Sequence, residues 1–153
     1  VSRLQKRLDA TFGRVPSSSS ADLEVQSDYA KYLCILVSGF FEKSIVALIL
    51  EYAERRSAPE IMLFVERQLD KWTNPNVDKV TKLFGSFSVD WRRSLERYLV
   101  DERKDSINSL VALRHRIAHG ESVGTSLSQV RNYYNSIKEV IEYLADLVGQ
   151  AKR

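Results

Sequence analysis

The sequence predicts an all-α fold, a helical bundle of four to five main helices with short accessory helices. Apolar residues recur at three- and four-residue spacing in one segment after another, the signature of a helix with one buried face. No segment alternates apolar and polar residues between hairpin turns, and the few glycines fall at helix ends or inside helical patterns. No internal repeat is visible, and the helical segments are too unequal for a solenoid.

Leu4 to Phe12 reads as a short amphipathic helix, followed after Pro16 by the flexible run Ser17 to Ser20, which ends in a helix N-cap. A long helix is expected from near Ala21. Its residues Leu33, Leu36, Val37, Phe40, Phe41, Ile45, Leu48 and Ile49 occupy almost every side, so it should lie at the centre of the bundle and stop before Pro59. Ser57-Ala58-Pro59-Glu60 has the form of a capping box opening a helix that carries Ile61, Phe64, Val65 and Leu69. Asn74-Pro75 is expected to open a shorter helix ending near Gly85. Ser88 can cap the next, with Trp91, Leu95, Tyr98 and Leu99 inward, and the Asp101 to Asp105 segment leads into another that ends at Gly120. Ser126 to Gln129 is a second capping-box form. The last helix sets Leu127, Val130, Tyr134, Ile137, Ile141, Leu144 and Val148 on one face.

At 153 residues and 44% hydrophobic content the chain suits one domain, residues 1–153, with 1–20 as the short helix and connection and 21–150 as the bundle. A net charge of +3 on 28% charged residues is mildly basic, which permits a phosphate-bearing partner without requiring one. The single Cys34 excludes an intramolecular disulfide and, within an apolar run, is expected to be a buried thiol. With Glu42 and Lys43 breaking the apolar stretches and no signal-peptide pattern at the start, a soluble cytoplasmic protein without membrane association is expected.

The chemistry is concentrated in Asp105 to Gly120, DSINSLVALRHRIAHG. On a helix, Ile107, Leu110, Val111, Ile117 and Ala118 fall on one arc, and Arg114 sits near its middle. An arginine where the pattern asks for leucine must pair with an acid or be kept for a ligand. Arg116 projects to the opposite, solvated side. His115 and His119, the only two histidines, share an edge beside Arg114 just before the helix ends. A cation for phosphate and an imidazole that titrates near neutrality are the groups needed to cleave RNA by in-line attack of its 2′-hydroxyl. His115 either contacts RNA or positions His119, or else is a polar residue at the rim of an interface.

The stretch Arg114-His115-Arg116-Ile117-Ala118-His119 resembles the signature of HEPN domains: an arginine, a polar residue, then a histidine after a short gap, with an Ala-His-Gly ending. The resemblance in layout covers roughly Ala21 to Val148. It implies a four- or five-helix bundle with a further helix after the motif, two motifs facing each other across a homodimer, and metal-independent cleavage of RNA to a 2′,3′-cyclic phosphate without a cofactor. Arg114 and His119 would then be catalytic. Many members act as toxins or in antiviral defence, so an inhibitor protein is an expected partner; others only bind, and a catalytically silent module, antitoxin-like or a nucleotide- or RNA-binding scaffold, is the alternative.

Glu42 lies on the central helix with Ile35, Val46 and Ile49 on its side, so its carboxylate should be partly buried with a basic partner. Arg114 is one candidate, which would make Glu42 an acid that orients the arginine; another basic side chain would make it an ordinary ion pair. Arg93 and Arg97, one turn apart and beside Arg92, are candidates to follow an RNA backbone, although Asp90, Glu96 and Asp101 favour a solvated face with local ion pairs. Arg116 and Tyr133 are further candidates for RNA contact, whereas Tyr134 belongs to the apolar stripe. His115 and His119 lack the third and fourth ligands a zinc site needs, so no metal is expected.

Overall fold

A computed structural model of the chain describes residues 1–15 and 23–149; the Ser17 to Ser20 run and the start near Ala21 lie outside them. Among the described residues there are seven helices and no strands: α1 (Ser2–Gly13), α2 (Leu23–Arg56), α3 (Pro59–Leu69), α4 (Val77–Phe87), α5 (Val89–Tyr98), α6 (Asp101–Ala118) and α7 (Leu127–Gly149). The protein is an all-α helical bundle.

α2 is the axis around which the others assemble, packing against α1, α3, α6 and α7. Leu33, Val37, Phe41, Ile45 and Ile49 are fully buried on successive turns, because neighbours cover it on several sides. By length and apolarity alone α2 would pass for a membrane span; more than half of its most apolar stretch is buried within the bundle. The stripe Val130, Tyr134, Ile137, Ile141, Leu144 and Val148 of α7 is buried as its spacing requires. α1 joins the same core through Leu8 and Phe12. Phe12 stacks on Tyr134 with ring centroids 4.8 Å apart, and the Tyr134 hydroxyl donates to Asp9 Oδ1, which seals α1 onto α7. Burial of a side chain the size of Phe12 contributes about 1.5–3 kcal/mol.

The local signals hold in places and yield to tertiary contacts in others. Ser88 caps α5 by accepting from Trp91 N, and Ser126 caps α7 by accepting from Gln129 N. Ser57 does not cap α3: its Oγ donates to the Ala53 carbonyl and so closes α2, while Ala58 takes the N-cap position without a side-chain bond and Pro59 opens the first turn. On α3 only Val65 and Leu69 are buried; Ile61 and Phe64 remain 55% and 60% exposed, since no helix among the described residues covers that side. α4 begins three residues later than Asn74 and runs to Phe87, because Asn76 is its cap and accepts from Lys79 N.

Candidate active site

α6 carries the Arg114 to His119 segment. Ile107, Leu110, Val111 and Leu113 hold it on the core, whereas Ala118, placed on the apolar arc by its sequence position, is exposed near the helix end. Two backbone bonds terminate α6: Gly120 N–H donates to the Ile117 carbonyl and Glu121 N–H to the Arg116 carbonyl. This pairing needs a residue with positive φ, and Gly120 supplies it at +71°. Arg116 Nε donates to Glu121 Oε2 at 2.8 Å on the solvent side and fastens the same turn.

His119 therefore occupies the fixed C-terminal cap of α6, exposed, with its ring 4.3 Å from that of His115. The i, i+4 spacing sets the two imidazoles side by side along one edge of the helix, their planes tilted by 59°. Arg114, half-buried, projects toward α2, where its charge is felt by the buried Cys34 thiol. Among the described residues no hydrogen bond or ion pair joins Arg114 to His119 within one chain.

What Arg114 does bond is Asn74, in the segment between α3 and α4: Nη1 donates to Asn74 Oδ1 at 3.3 Å. Asn74 is in turn gripped by α2, its backbone N–H donating to Glu42 Oε2 at 3.1 Å. Glu42 is half-buried, as its neighbours in the sequence imply, but the structure places Asn74 between it and Arg114 instead of a direct ion pair. Asn74 holds φ at +54°, a left-handed conformation that asparagine reaches at lower cost than most residues, and this explains why it does not start a helix. Neither Asn74 nor its neighbour Asn76 was legible as a site residue; the signal available was an Asn-Pro-Asn sequence in a short connection, where asparagine tolerates left-handed backbone.

Beside this network lies a cleft of about 310 Å³ lined by Asn74, Asn76, Asp78, Asn108, Val111, Ala112 and His115. A larger cleft, about 920 Å³ between α4, α5 and the start of α6, holds neither histidine nor Arg114. Its walls mix Lys82, Arg92 and Lys104 with Asp78, Glu96, Asp101 and Asp105, so it offers no uniform field for a phosphate backbone.

The remaining candidates are dispersed. Arg92 pairs with Glu96 at 2.9 Å and Arg93 with Asp90 at 3.8 Å, the local ion pairs of a solvated face. Arg97 is exposed at the end of α5, which leads into the start of α6 and thus the end of that helix opposite His119. Tyr133 is half-buried, its hydroxyl accepting from Gln129 Nε2, and Tyr134 is core. Among the described residues no three His, Cys, Asp or Glu side chains gather in a way that could hold a metal ion.

A family model described as RiboL-PSP-HEPN matches residues 3–150 of the chain. Comparison with curated proteins and with solved structures returns no match.

Proposed function

The chain belongs to the RiboL-PSP-HEPN family, and on that premise we propose that it is a metal-independent endoribonuclease acting as a homodimer. The observation that carries the reading is the end of α6, where a guanidinium held in place by Asn74 and an exposed pair of imidazoles lie within two turns of one helix. Arg114 uses one of its five N–H donors on Asn74, so its fork retains capacity for a phosphate. His119, open to solvent at the C-terminal cap of α6, is accessible to substrate.

In the proposed reaction His119 takes the proton of the 2′-hydroxyl, O2′ attacks the adjacent phosphorus, and the bond from phosphorus to O5′ breaks. The charge that builds on the phosphoryl oxygens is neutralised by Arg114. The departing O5′ takes a proton from a second acid, which the partner subunit's His119 would supply; one imidazole cannot be base and acid at the same instant. The products are a 2′,3′-cyclic phosphate and a 5′-hydroxyl. His115, Arg116, Ala118, His119 and Gly120 are all exposed, which leaves the surface that a second copy would cover available. A toxin or defence effector restrained by an inhibitor protein is the biological role that fits such an activity.

A silent binding module is favoured by one observation, the half-burial of Arg114 against Asn74, which would suffice for a purely structural arginine. Incubating the dimer with mixed RNAs in the presence of a chelator separates the two. Fragments ending in 2′,3′-cyclic phosphate support the ribonuclease; intact RNA supports the module.

A further inference from the structure

We infer that the cleft beside the motif is a nucleobase subsite selecting keto bases, uracil or guanine, next to the scissile phosphate; the inference rests on the ribonuclease reading above. Three asparagines, Asn74, Asn76 and Asn108, line it together with Asp78 and His115. Each amide oxygen is already occupied by a group that can only donate. Asn74 Oδ1 accepts from Arg114 Nη1, Asn76 Oδ1 from Lys79 N at 2.9 Å, and Asn108 Oδ1 from Val77 N at 3.0 Å. Those partners fix the orientation of all three amides, since a reversed amide would set donor against donor. Among the described residues no acceptor engages any of the three Nδ2 groups, so their N–H donors remain available to a ligand.

The ligand must therefore be rich in acceptors. Phosphate has that character, but the Asp78 carboxylate in the wall opposes a second anion. A keto base meets both requirements: its carbonyl oxygens accept from the amides while its ring N–H, flanked by a carbonyl, donates to Asp78. Adenine and cytosine place an amino group where the keto bases carry a carbonyl, and donor would face donor, leaving the half-buried amides unpaired. Val111 and Ala112 give the cleft an apolar wall for the face of the ring, and about 310 Å³ lies at the small end of ligand sites, in keeping with a single base. His115 ties the cleft to the reaction, because its ring lies against that of His119, and Asn74 ties it to Arg114.

The test is binding of short oligouridine and oligocytidine bearing 2′-methoxy groups, which cannot be cleaved, measured by fluorescence polarisation. Wild-type dimer is expected to prefer oligouridine about tenfold, the scale of one well-formed base contact. Asn108→Asp keeps an oxygen for the Val77 N–H and replaces the free NH₂ donor by an acceptor. Its uridine-to-cytidine ratio should fall to one or reverse, with an unchanged melting temperature. Asn76→Asp makes the same exchange at the α4 cap and serves if Asn108→Asp does not fold. Equal affinity of the wild type for both oligomers, or an unaltered ratio in the variants, overturns the subsite while leaving the ribonuclease intact. Binding of neither oligomer overturns the ribonuclease reading and the subsite with it.

Discussion

Asn74 stands between Glu42 and Arg114, its backbone N–H on the carboxylate at 3.1 Å and its side-chain oxygen on the guanidinium at 3.3 Å. A residue far from both in sequence thereby transmits the position of α2 to the phosphate-binding candidate on α6. Asn74→Gly keeps the left-handed backbone at low cost and removes only the arm. Turnover at saturating RNA should fall about tenfold while the melting temperature changes little, because positioning is lost but not packing. Asn74→Asp retains an acceptor for Arg114 and should keep more of the activity than the glycine variant. Full turnover in Asn74→Gly would show that Arg114 needs no such support.

The same link gives Glu42 a measurable structural share. Glu42→Gln retains a carbonyl oxygen for the Asn74 N–H and should melt close to wild type. Glu42→Ala leaves that N–H without its partner in a half-buried segment, at a cost of about 1–3 kcal/mol. Denaturant titrations of the two variants check the contrast, and equal stabilities would mean that the bond contributes nothing.

What could be read from the sequence follows from the range of the interactions. The stripe of α7, the Ser88 cap and the misplaced Arg114 are all visible within a turn or two of helix, so spacing alone exposes them. Asn74 is different: its partners lie 32 and 40 residues away, and without them Asn-Pro reads as a helix start. Ile61 and Phe64 fail for a related reason. An amphipathic pattern marks a face as apolar but does not say whether another helix covers it.

Gly120 should be sensitive to substitution for conformational reasons only. A Cβ there would meet no heavy atom within 4 Å, yet φ of +71° penalises any side chain but asparagine or aspartate. Gly120→Ala should cost about 1–2 kcal/mol, and Gly120→Asn less. Because the turn holds His119 at its cap, RNA cleavage should fall in the same order as stability. A melting series of the two variants beside wild type tests this.

Burial pushes the Cys34 thiol from its ordinary 9.0 up to about 12, with the Arg114 guanidinium pulling the other way. The folded protein should therefore resist iodoacetamide near pH 8 and react only on unfolding. The linkage has a definite sign. A folded-state value above the unfolded one means that the unfolded thiol loses its proton first, so this contribution to stability is whole below pH 9 and declines between about 9 and about 12. Cys34→Ala should remove that component of the alkaline loss. Rapid labelling of native protein would contradict the burial of the thiol.

The decisive pair is Arg114 and His119, because the proposed reaction requires both and the structure gives them unequal structural roles. His119 is exposed at the helix cap, so His119→Ala should leave helix content and oligomeric state intact while cleavage falls by a factor on the order of 10²–10⁴. Arg114→Ala should be as inactive and also less stable, since it strands Asn74 Oδ1 and empties a half-buried position. Arg114→Lys keeps the charge without the planar fork and should retain partial activity at most. In the proposed mechanism the nucleophile belongs to the substrate, so DNA and 2′-methoxy RNA should resist cleavage, and a chelator should have no effect. Cleavage of DNA, or dependence on a divalent metal, would falsify the mechanism whatever the two variants do. An active His119→Ala with wild-type products would instead move the proton transfer to His115, the imidazole beside it.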